Sequence, residues 1–492
     1  MSKTVVISEL MQTCGVKFGT SGARGLVSDM TDEVCYAYTI GFIQYLEQVG
    51  TLSSDGEKVV IAGDLRPSTD RIMAAVGKAC EDKGYVPVDC GKIPSPAIAL
   101  YGIKQKCPAV MVTGSHIPDD RNGIKYNKPE GEVLKDDEAG MMGQSVELPD
   151  IFDDSGMLKD PYEIEMSDDG ARQAYLGRWV ECLPSDFLEG KKIGLYQHSA
   201  VGRDILYDIY KALGAEVDKL GRSDTFLPVD TEAIRPEDVE LARQWAEEGG
   251  YDAVVSTDGD SDRPLVSDEN GKWLRGDVAG ILCAEFLGAD SVVTPVSCNT
   301  AAEKCGLFDE VKRTRIGSPY VVAGMIASSE AGAKCVVGYE ANGGFLMNSD
   351  VEVEGNTLEA LPTRDAAIIH LGIIGLSIRK GVKISELLAS MPQRVTASDR
   401  LKEFPTEISK AKIAELAAGG KETIEGILGA FGTVKDVNET DGLRITFESE
   451  EVVHLRPSGN APELRCYTEA DSEARAVEIN AEVMDILSAW RS

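Results

Sequence analysis

The stretch YDAVVSTDGDSDR, Tyr251 to Arg263, decides the fold. An apolar run, Tyr251–Val255, leads directly into a polar loop of Gly, Ser and Asp, and a short apolar run that ends at turn residues predicts a buried strand. The same pattern recurs at Pro108–Val112, followed by TGSH, and at Lys334–Val337, followed by GYEANGG. Repeated strand–loop–helix units predict α/β layers, with ligand-binding loops at the carboxyl ends of the strands.

The chain of 492 residues is too long for one ordinary core, so three or four domains are expected. The three loops predict three related domains that each offer one loop to a shared site. The acidic, Gly-containing segment Leu148–Pro161 predicts a linker. A hairpin signal at Asn270–Gly271 predicts the end of the second domain, and the third is expected to end near Gly381–Met391. The predicted domains are 1–150, 160–272, 273–390 and a smaller α+β domain, 391–492, that ends in an amphipathic helix over Asp471–Trp490.

The composition predicts a globular cytoplasmic protein. No run of 18 or more apolar residues is present, and the N-terminus lacks the basic start and apolar middle of a secretory signal. The eleven cysteines are scattered without a CxxC pair, which is typical of a reducing compartment.

The net charge of −32 argues against nucleic acid or an anionic membrane as a partner. A phosphate ligand would need basic residues concentrated locally. Because no Walker A motif, Rossmann fingerprint or HExxH zinc site is present, nucleotide-dependent phosphoryl transfer is disfavoured.

The DGDSDR loop is a candidate magnesium site. Asp258, Asp260 and Asp262 follow a predicted strand at alternate positions, and in a tight loop their oxygens can converge on one hard cation. A solvated acidic turn is the plain alternative. An EF-hand is excluded because its sixth position, which needs Gly, is Arg263 and because a strand precedes the loop. Arg263 is well placed to bind a phosphate oxygen that the metal also contacts.

Ser115 lies in the TGSH loop directly after a predicted strand, which should place its hydroxyl at the strand end. His116 is adjacent, but GxSxG is absent and a hydrolase triad is poorly supported. A phosphoserine beside a metal is favoured over a nucleophile of that kind, since phosphate and carboxylate oxygens suit the same cation. Lys125 is the candidate proton carrier, with Arg24 as the neighbouring cation that would favour its neutral form. The plain alternative is a turn serine without a catalytic role, which is the more common function of a single serine in such a loop.

Three further segments carry weaker signals. The Gly-rich loop KFGTSGARG, Lys17–Gly25, can bind phosphate through backbone N–H groups. Glu340 and Asn342 of GYEANGG are a suitable pair for sugar hydroxyls. Arg456 and Arg465 flank a Ser-Gly-Asn loop and form a candidate anion clamp. Ordinary turns have the same composition, so none of these segments is decisive by itself.

Taken in order, FGTSGARG, TGSH with NGIKY, DGDSDR, GYEANGG and RPSGNAPELR resemble the α-D-phosphohexomutase superfamily, the phosphomannomutases and phosphoglucomutases. The resemblance runs from Lys17 to about Ala470. It implies an α/β protein with three related α/β-core domains plus a smaller C-terminal α+β domain around a central cleft. It also implies small hexose phosphates as substrates, Mg²⁺ as the metal and a hexose 1,6-bisphosphate as activator.

The resemblance further implies roles for individual residues. Ser115 matches the phosphoserine, whose phosphate completes a magnesium site formed by Asp258, Asp260 and Asp262. The remaining catalytic candidates are Lys125 and Arg24, for proton transfer and its support, with His116 and Arg263. Glu340 and Asn342 match the sugar-recognition loop. The loop for the non-reacting phosphate comprises Arg456, Ser458, Gly459, Asn460 and Arg465.

Two positions depart from the family pattern. Asn460 and Ala461 stand where relatives commonly have Thr and Glu, so a carboxylate is lost from the phosphate loop. Gly344 stands about where many relatives have a histidine in the sugar loop, which removes a possible substrate contact.

The implied reaction is reversible phosphoryl transfer between the 1- and 6-positions of a hexose phosphate, through phosphoserine and a bisphosphate intermediate. Mannose phosphate is the favoured substrate; a phosphoglucomutase or a dual-specificity mutase is the alternative. Phosphoglucosamine is less favoured, since those relatives usually carry a different sugar loop. Two alternatives belong to other functional classes: a metal-dependent phosphomonoesterase and a non-catalytic sugar-phosphate-binding protein.

Overall fold

The N-terminal part of the chain folds around a mixed sheet. The computed structural model describes residues 3–19, 22–53, 56–458 and 462–491. The elements of this part are β1 (Lys3–Val6), α1 (Ile7–Thr13), β2 (Lys17–Phe18), β3 (Ala23–Leu26), α2 (Asp32–Gln48), β4 (Lys58–Gly63), α3 (Thr69–Asp82), β5 (Val86–Lys92), α4 (Ser95–Gln105), β6 (Ala109–Val112), β7 (Arg121–Lys128), β8 (Gly131–Glu132), α5 (Lys135–Met142), β9 (Ser145–Leu148) and β10 (Met166–Ser167). The strand order is β10-β5-β4-β6-β7-β3-β2, with β8 beside β7, and β1 pairs with β9 separately.

Strand β4 of this sheet is apolar from Val59 onward because both of its faces are covered. Val59 and Ile61 of β4 pack into the cluster that contains α2 and α3, whereas Val60 and Ala62 pack into the cluster that contains α4. Successive side chains of a strand point to opposite faces, so a strand buried on both faces has an uninterrupted apolar sequence.

The second and third parts of the chain are smaller α/β layers. The second comprises α6 (Gly170–Cys182), β11 (Lys192–His198), α7 (Arg203–Ala212), β12 (Glu216–Arg222), α8 (Pro236–Gly249), β13 (Ala253–Thr257) and β14 (Pro264–Val266). The third comprises α9 (Gly276–Leu287), β15 (Ser291–Pro295), α10 (Ala301–Lys304), β16 (Glu310–Thr314), α11 (Ser318–Glu330), β17 (Val336–Tyr339), β18 (Phe345–Met347), β19 (Val351–Val353), β20 (Asn356–Leu358), α12 (Ala366–Lys380) and α13 (Ile384–Ser390). Their sheets have the orders β12-β11-β13-β14 and β16-β15-β17-β18.

The three α/β sheets share one strand pattern. In each, one central strand (β4, β11 or β15) lies between the next two strands of the chain, which run parallel to it. A fourth strand (β7, β14 or β18) runs antiparallel beside the third (β6, β13 or β17). The connection between the third and fourth strands carries TGSH in the first sheet, DGDSDR in the second and EANGG in the third. The three chemistry-bearing loops are therefore topologically equivalent, and the prediction of three related α/β cores is confirmed. The residue numbers given for the domain boundaries stay a prediction.

The C-terminal part is an antiparallel sheet with helices packed against it. It comprises β21 (Val395–Leu401), α14 (Thr406–Leu428), β22 (Val434–Asn438), β23 (Leu443–Phe447), β24 (Val452–Pro457), β25 (Leu464–Ala470) and α15 (Glu473–Ser488). The strand order is β21-β25-β24-β23-β22. Helix α15 begins after Ser472, whose side chain accepts a hydrogen bond from the Arg475 backbone N–H. The predicted α+β class and the C-terminal helix are confirmed.

One apolar cluster runs through the first three parts of the chain. It includes Tyr101 of α4, Tyr175 and Trp179 of α6, and Phe286 of α9, while the C-terminal part has a separate core. The shared cluster holds the three α/β layers together, so their equivalent loops have fixed relative positions. Among the described residues, no helix combines the length and apolar character needed to cross a bilayer.

Three of the four histidines, His198, His370 and His454, are fully buried. The Nε2 atoms of His198, His370 and His454 lie 2.8, 3.0 and 2.6 Å from backbone carbonyl oxygens, so each Nε2 carries the proton and donates. In His370 the other nitrogen, Nδ1, accepts from the hydroxyl of Tyr210 at 2.6 Å, which links α12 to α7. Burial lowers the pKa of each of these histidines to about 4. They are therefore neutral in the folded protein at pH 7.

Acid should destabilise the fold through His370. Its pKa is about 4 in the folded protein and 6.5 in the unfolded chain, so its contribution is complete above pH 6.5 and is lost as the pH falls toward 4. Between pH 7 and pH 5 this loss is about 2 kcal/mol. In urea denaturation, the stability difference between wild type and His370→Gln should shrink by that amount over this interval. A difference that stays constant with pH would contradict the assignment.

Candidate active site

Ser115 lies at the centre of the site in a left-handed backbone conformation. Its φ is +58°, which costs about 1 kcal/mol for a residue other than glycine, and two contacts hold it there. The Ser115 N–H donates to Thr113 Oγ1 at 2.8 Å, and its carbonyl accepts from Arg66 Nη2 at 2.9 Å. The turn directs the hydroxyl at the second loop, where Ser115 Oγ donates to Asp258 Oδ2 at 2.6 Å.

The pair Asp64 and Arg66, which the sequence analysis missed, anchors the serine loop. Buried Asp64 forms an ion pair with Arg66 and accepts from the hydroxyls of Thr69 and Thr113, both at 2.7 Å. Arg66 also donates to the carbonyl of Ile117, and its guanidinium carbon lies 4.0 Å from the centre of the Phe226 ring. The only indication in the sequence was that two oppositely charged residues, Asp64 and Arg66, directly follow strand β4.

The DGDSDR loop buries all three of its aspartates. The backbone N–H groups of Asp262 and Arg263 both donate to Asp258 Oδ1 at 3.2 Å, which closes the loop. Asp260 Oδ2 accepts from Ser95 Oγ, at the start of α4. Ligand oxygens from the three aspartates lie within 4.8 Å of one another. The predicted cluster is therefore present, and it faces Ser115.

The donor set of this cluster fits a hard divalent cation. Burial, together with the charges of Asp260 and Asp262, raises the pKa of Asp258 well above its ordinary value. Within the described parts of the chain, the buried Oδ1 atoms of Asp260 and Asp262 accept no hydrogen bond. Buried polar atoms are normally paired, and carboxylate oxygens are the ligands that Mg²⁺ prefers.

Lys125 supplies positive charge to the cluster from strand β7. Its Nζ donates to Asp260 Oδ2 and to Asp262 Oδ2, both at 2.6 Å. Arg24 lies on the adjacent strand, opposite Gly123. Burial and the nearby charge of Arg263 lower the pKa of Arg24 to about 10. The structure thus brings the predicted lysine to the carboxylates and Arg24 to the neighbouring strand.

His116 is held neutral beside Ser115. A guanidinium can only donate, so Arg263 Nη1 donates to His116 Nδ1 at 3.0 Å. His116 Nδ1 also lies 3.3 Å from Ser115 Oγ. Burial, followed by the charges of Arg263 and Arg24, lowers the pKa of His116 far below its ordinary range. His116 therefore holds Arg263 next to the serine hydroxyl.

The loop with Glu340 and Asn342 reaches the cluster through a residue that the sequence analysis missed, Arg364. Its Nε and Nη2 lie 3.1 and 3.0 Å from Asp262 Oδ2, and its Nη1 lies 3.3 Å from Glu340 Oε2. Asn342 stabilises its own turn, since its Oδ1 accepts from the Gly344 N–H at 2.9 Å. Glu340 lies at the cluster, whereas the amide oxygen of Asn342 is engaged within the loop.

The two arginines of the C-terminal loop face each other across strands β24 and β25. Arg456 and Arg465 are directly paired, an arrangement that is unfavourable for like charges unless an anion lies between or beside them. Carboxylates partly serve that purpose: Asp441 Oδ2 accepts from Arg456 Nε at 2.9 Å and Glu463 Oε2 from Arg465 Nη2 at 3.1 Å. Ser458 is buried, and the remaining predicted residues, Gly459 and Asn460, lie outside the described residues together with Ala461.

One cavity connects the serine side of the site with the C-terminal part. It has a volume of about 320 Å³ and its lining includes His116, Arg263, Arg400, Arg465 and Tyr467. Arg400 was not among the predicted residues. A ligand in this cavity would contact cations from both sides.

Comparison with known proteins identifies the family. Family models of phosphoglucomutase/phosphomannomutase match three segments of the chain: α/β/α domain I at residues 15–147, α/β/α domain III at 275–395 and the C-terminal domain at 408–486. The chain belongs to the phosphoglucomutase/phosphomannomutase family. The resemblance found in the motifs is thereby confirmed, and the family is metal-dependent.

Two relatives are similar to the chain over nearly its whole length. A phosphomannomutase of Salmonella muenchen is 44% identical over 471 residues, 96% of this chain and 95% of the relative. A phosphomannomutase of Sinorhizobium fredii is 41% identical over 477 residues, 96% and 99% of the two chains.

Solved structures show the same fold at low identity. A phosphoglucomutase/phosphomannomutase family protein from Burkholderia thailandensis matches with a TM-score of 0.72 and 20% identity, covering 96% of this chain and 97% of its own. N-acetylphosphoglucosamine mutase of Aspergillus fumigatus, in complex with GlcNAc-6P and magnesium, matches with a TM-score of 0.59 and 14% identity, covering 99% of both chains.

Removing the Lys125 ammonium should destabilise the protein strongly. In Lys125→Met, buried Asp260 and Asp262 lose the cation that bridges them, a change that typically costs about 3 kcal/mol or more. Lys78→Met is a matched control, because Lys78 Nζ also bridges two carboxylates, those of Glu81 and Asp82, but on an exposed helix. Its cost should stay below about 1 kcal/mol. Urea denaturation in the presence of a chelator measures both, and equal losses would refute the electrostatic role of Lys125.

Proposed function

We propose that the protein interconverts the 1- and 6-phosphates of a hexose, with mannose 6-phosphate to mannose 1-phosphate as the favoured reaction, through phosphorylated Ser115. The observation that carries the proposal is the hydrogen bond of 2.6 Å from Ser115 Oγ to Asp258, which places the hydroxyl at a buried carboxylate cluster with cations around it. The two phosphomannomutases at 44% and 41% identity support mannose as the sugar. A phosphoglucomutase or a dual-specificity mutase is the alternative.

Asp258, Asp260 and Asp262 would hold Mg²⁺ together with a phosphate oxygen on Ser115. The hydrogen-bond-free oxygens of Asp260 and Asp262 support this assignment, as does the magnesium in the solved complex of the Aspergillus fumigatus relative. Such a cation, when bound, stabilises negative charge on the transferring phosphoryl group.

The side chains around Ser115 suit transfer between oxygens. As a hexose hydroxyl attacks phosphorus, the bond from phosphorus to Ser115 Oγ breaks. Lys125 acts in this step from its neutral form: its amine takes the proton of the attacking hydroxyl, and the ammonium so formed gives a proton to Ser115 Oγ. The regenerated hydroxyl is the group that hydrogen-bonds to Asp258. Arg263, oriented by His116, is placed to bind the equatorial oxygens of the group in transit, and Arg24 is the further cation near it. The return transfer reverses these steps from the other phosphate of the bisphosphate.

The second phosphate requires its own site, and the arginine pair of the C-terminal part supplies one. Arg456 and Arg465 would bind the non-reacting phosphate, with Ser458, Gly459 and Asn460 of the same loop. The shared cavity supports this arrangement, since Arg263 and Arg465 both line it. Each phosphate of the bisphosphate occupies the two positions in turn. Hexose 1,6-bisphosphate acts as activator because it can phosphorylate Ser115.

The sugar between the two phosphates is assigned to Glu340 and Asn342. A carboxylate accepts hydrogen bonds from two hydroxyls, and Glu340 is buried within reach of the aspartate cluster. The net charge of −32 supports a small phosphorylated ligand held by local cations and disfavours nucleic acid as a partner.

A metal-dependent phosphomonoesterase would use the same serine and cation but transfer the phosphoryl group to water. The arginine pair of the C-terminal part disfavours this alternative, because hydrolysis of a monophosphate needs no second phosphate position.

The decisive experiment is a coupled assay with Mg²⁺, a trace of hexose 1,6-bisphosphate, and mannose 1-phosphate or glucose 1-phosphate. Wild type should form the 6-phosphate without releasing inorganic phosphate. Ser115→Ala should lose about 1,000-fold or more in kcat, because the phosphoryl carrier is gone. Ser328→Ala is a matched control, since Ser328 is also buried but bonds Glu310 away from the site, and it should keep wild-type activity. Release of inorganic phosphate, or an active Ser115→Ala, would overturn the proposal.

A further inference from the structure

The side chain of Arg364 occupies the space next to Gly344. A Cβ atom at position 344 would lie 2.4 Å from Arg364 Cδ and 2.8 Å from Arg364 Cγ. Such separations are far below van der Waals contact, so any side chain at position 344 excludes the observed arginine conformation. Gly344 is one of the two departures from the family pattern. Because it has no side chain, Arg364 can pack directly against it.

The guanidinium of Arg364 joins two loops that come from different sheets. Its Nε and Nη2 face Asp262 of the DGDSDR loop, while Nη1 faces Glu340 of the sugar loop. Arg364 is only 2% exposed, so these interactions are weakly screened by solvent. An ammonium can also contact two carboxylates, but the rigid planar fork of a guanidinium fixes the relative directions of its two partners.

The backbone around Arg364 is anchored on both sides. Thr363 Oγ1 donates to Glu132 Oε1 at 2.6 Å, and the Asp365 N–H donates to the carbonyl of Phe345 at 3.0 Å. Asp365 also caps helix α12 through the Ala367 N–H. The arginine therefore extends from a fixed point, and its length and direction determine where the Glu340 carboxylate lies.

We infer that Arg364 is the positioning residue for hexose recognition, which fixes the Glu340 carboxylate at the metal loop and takes the space that a side chain at position 344 would fill. This inference rests on the proposed function, in which Glu340 binds sugar hydroxyls. Since Arg364 acts through Glu340, its removal should weaken hexose binding more than it slows transfer. The KM for the hexose phosphate should then rise while kcat changes less.

The first test compares Arg364→Lys with Glu340→Gln and with the double variant. Arg364→Lys keeps the charge but loses the fork, so KM for mannose 1-phosphate should rise about tenfold or more, as for other bidentate sites. The double variant should be little worse than Glu340→Gln alone, since Arg364 acts on the hexose through the Glu340 carboxylate. Arg313→Lys is a matched control: Arg313 pairs with Glu303 in the same domain, and none of its contacts belongs to the site. It should lower the melting temperature and leave KM unchanged.

The second test uses the space between Gly344 and Arg364. Gly344→Ala in wild type should displace Arg364, raise KM and lower the melting temperature. In an Arg364→Ala background the same methyl group has room, so Gly344→Ala should add little to either quantity. An unchanged KM in Arg364→Lys, or equal effects of Gly344→Ala in both backgrounds, would overturn the inference.

Binding measurements separate this inference from the proposed reaction. Calorimetry of mannose 6-phosphate with Ser115→Ala, with and without Arg364→Lys, gives the affinity without turnover. If the protein shows no mutase activity but the affinity for mannose 6-phosphate falls about tenfold with Arg364→Lys, the proposed reaction is rejected and the role of Arg364 is retained. An active mutase whose affinity does not depend on Arg364 would reject only the positioning role.

Discussion

The rest of the site depends on one electrostatic constraint, the burial of Asp258, Asp260 and Asp262 in a single loop. Three carboxylates in a low-dielectric interior repel one another, and each must be paired, protonated or bound to a cation. The surrounding groups answer this constraint. Lys125 bridges Asp260 and Asp262, Arg364 also binds Asp262, and the Ser115 hydroxyl donates to the remaining carboxylate, Asp258. A bound divalent cation would neutralise the remaining negative charge of the three carboxylates, and the same cation could bind a phosphoryl group on Ser115.

The fold meets this constraint by repeating one strand pattern. Three sheets each place a loop between the third strand and an antiparallel fourth, and the apolar cluster shared by the three layers holds those loops against one another. The first loop supplies Ser115, the second the aspartates and the third Glu340. The C-terminal part adds Arg465 to the common cavity without belonging to the shared core. A separate core suits a part that must adjust as a bisphosphate changes orientation.

Much of this arrangement could be predicted because it is written in local patterns. Short apolar runs before polar loops predict strands, and the aspartates of DGDSDR lie within five consecutive residues of the chain. Arg66 and Arg364 were not found in that way, because each lies outside any motif and contacts the site loops through residues that are distant in the chain. Asn342 has a structural role that its residue type did not indicate, because its amide oxygen closes its own turn, while its contact with the sugar stays a prediction. Local sequence patterns predict secondary-structure elements and clusters of nearby residues. Contacts between loops depend on how the sheets pack, so they can be identified only in the folded structure.

The most direct test of the account is an anomalous diffraction measurement on crystals grown with Mn²⁺ in place of Mg²⁺. If the three loops form one cation site, a strong anomalous peak should lie between carboxylate oxygens of Asp258, Asp260 and Asp262, next to Ser115 Oγ. Crystals of Asp260→Asn should show no such peak. A Mn²⁺ peak located away from these aspartates, or crystals saturated with Mn²⁺ that show none at this loop, would contradict the claim that the three loops form one cation and phosphoryl-transfer centre.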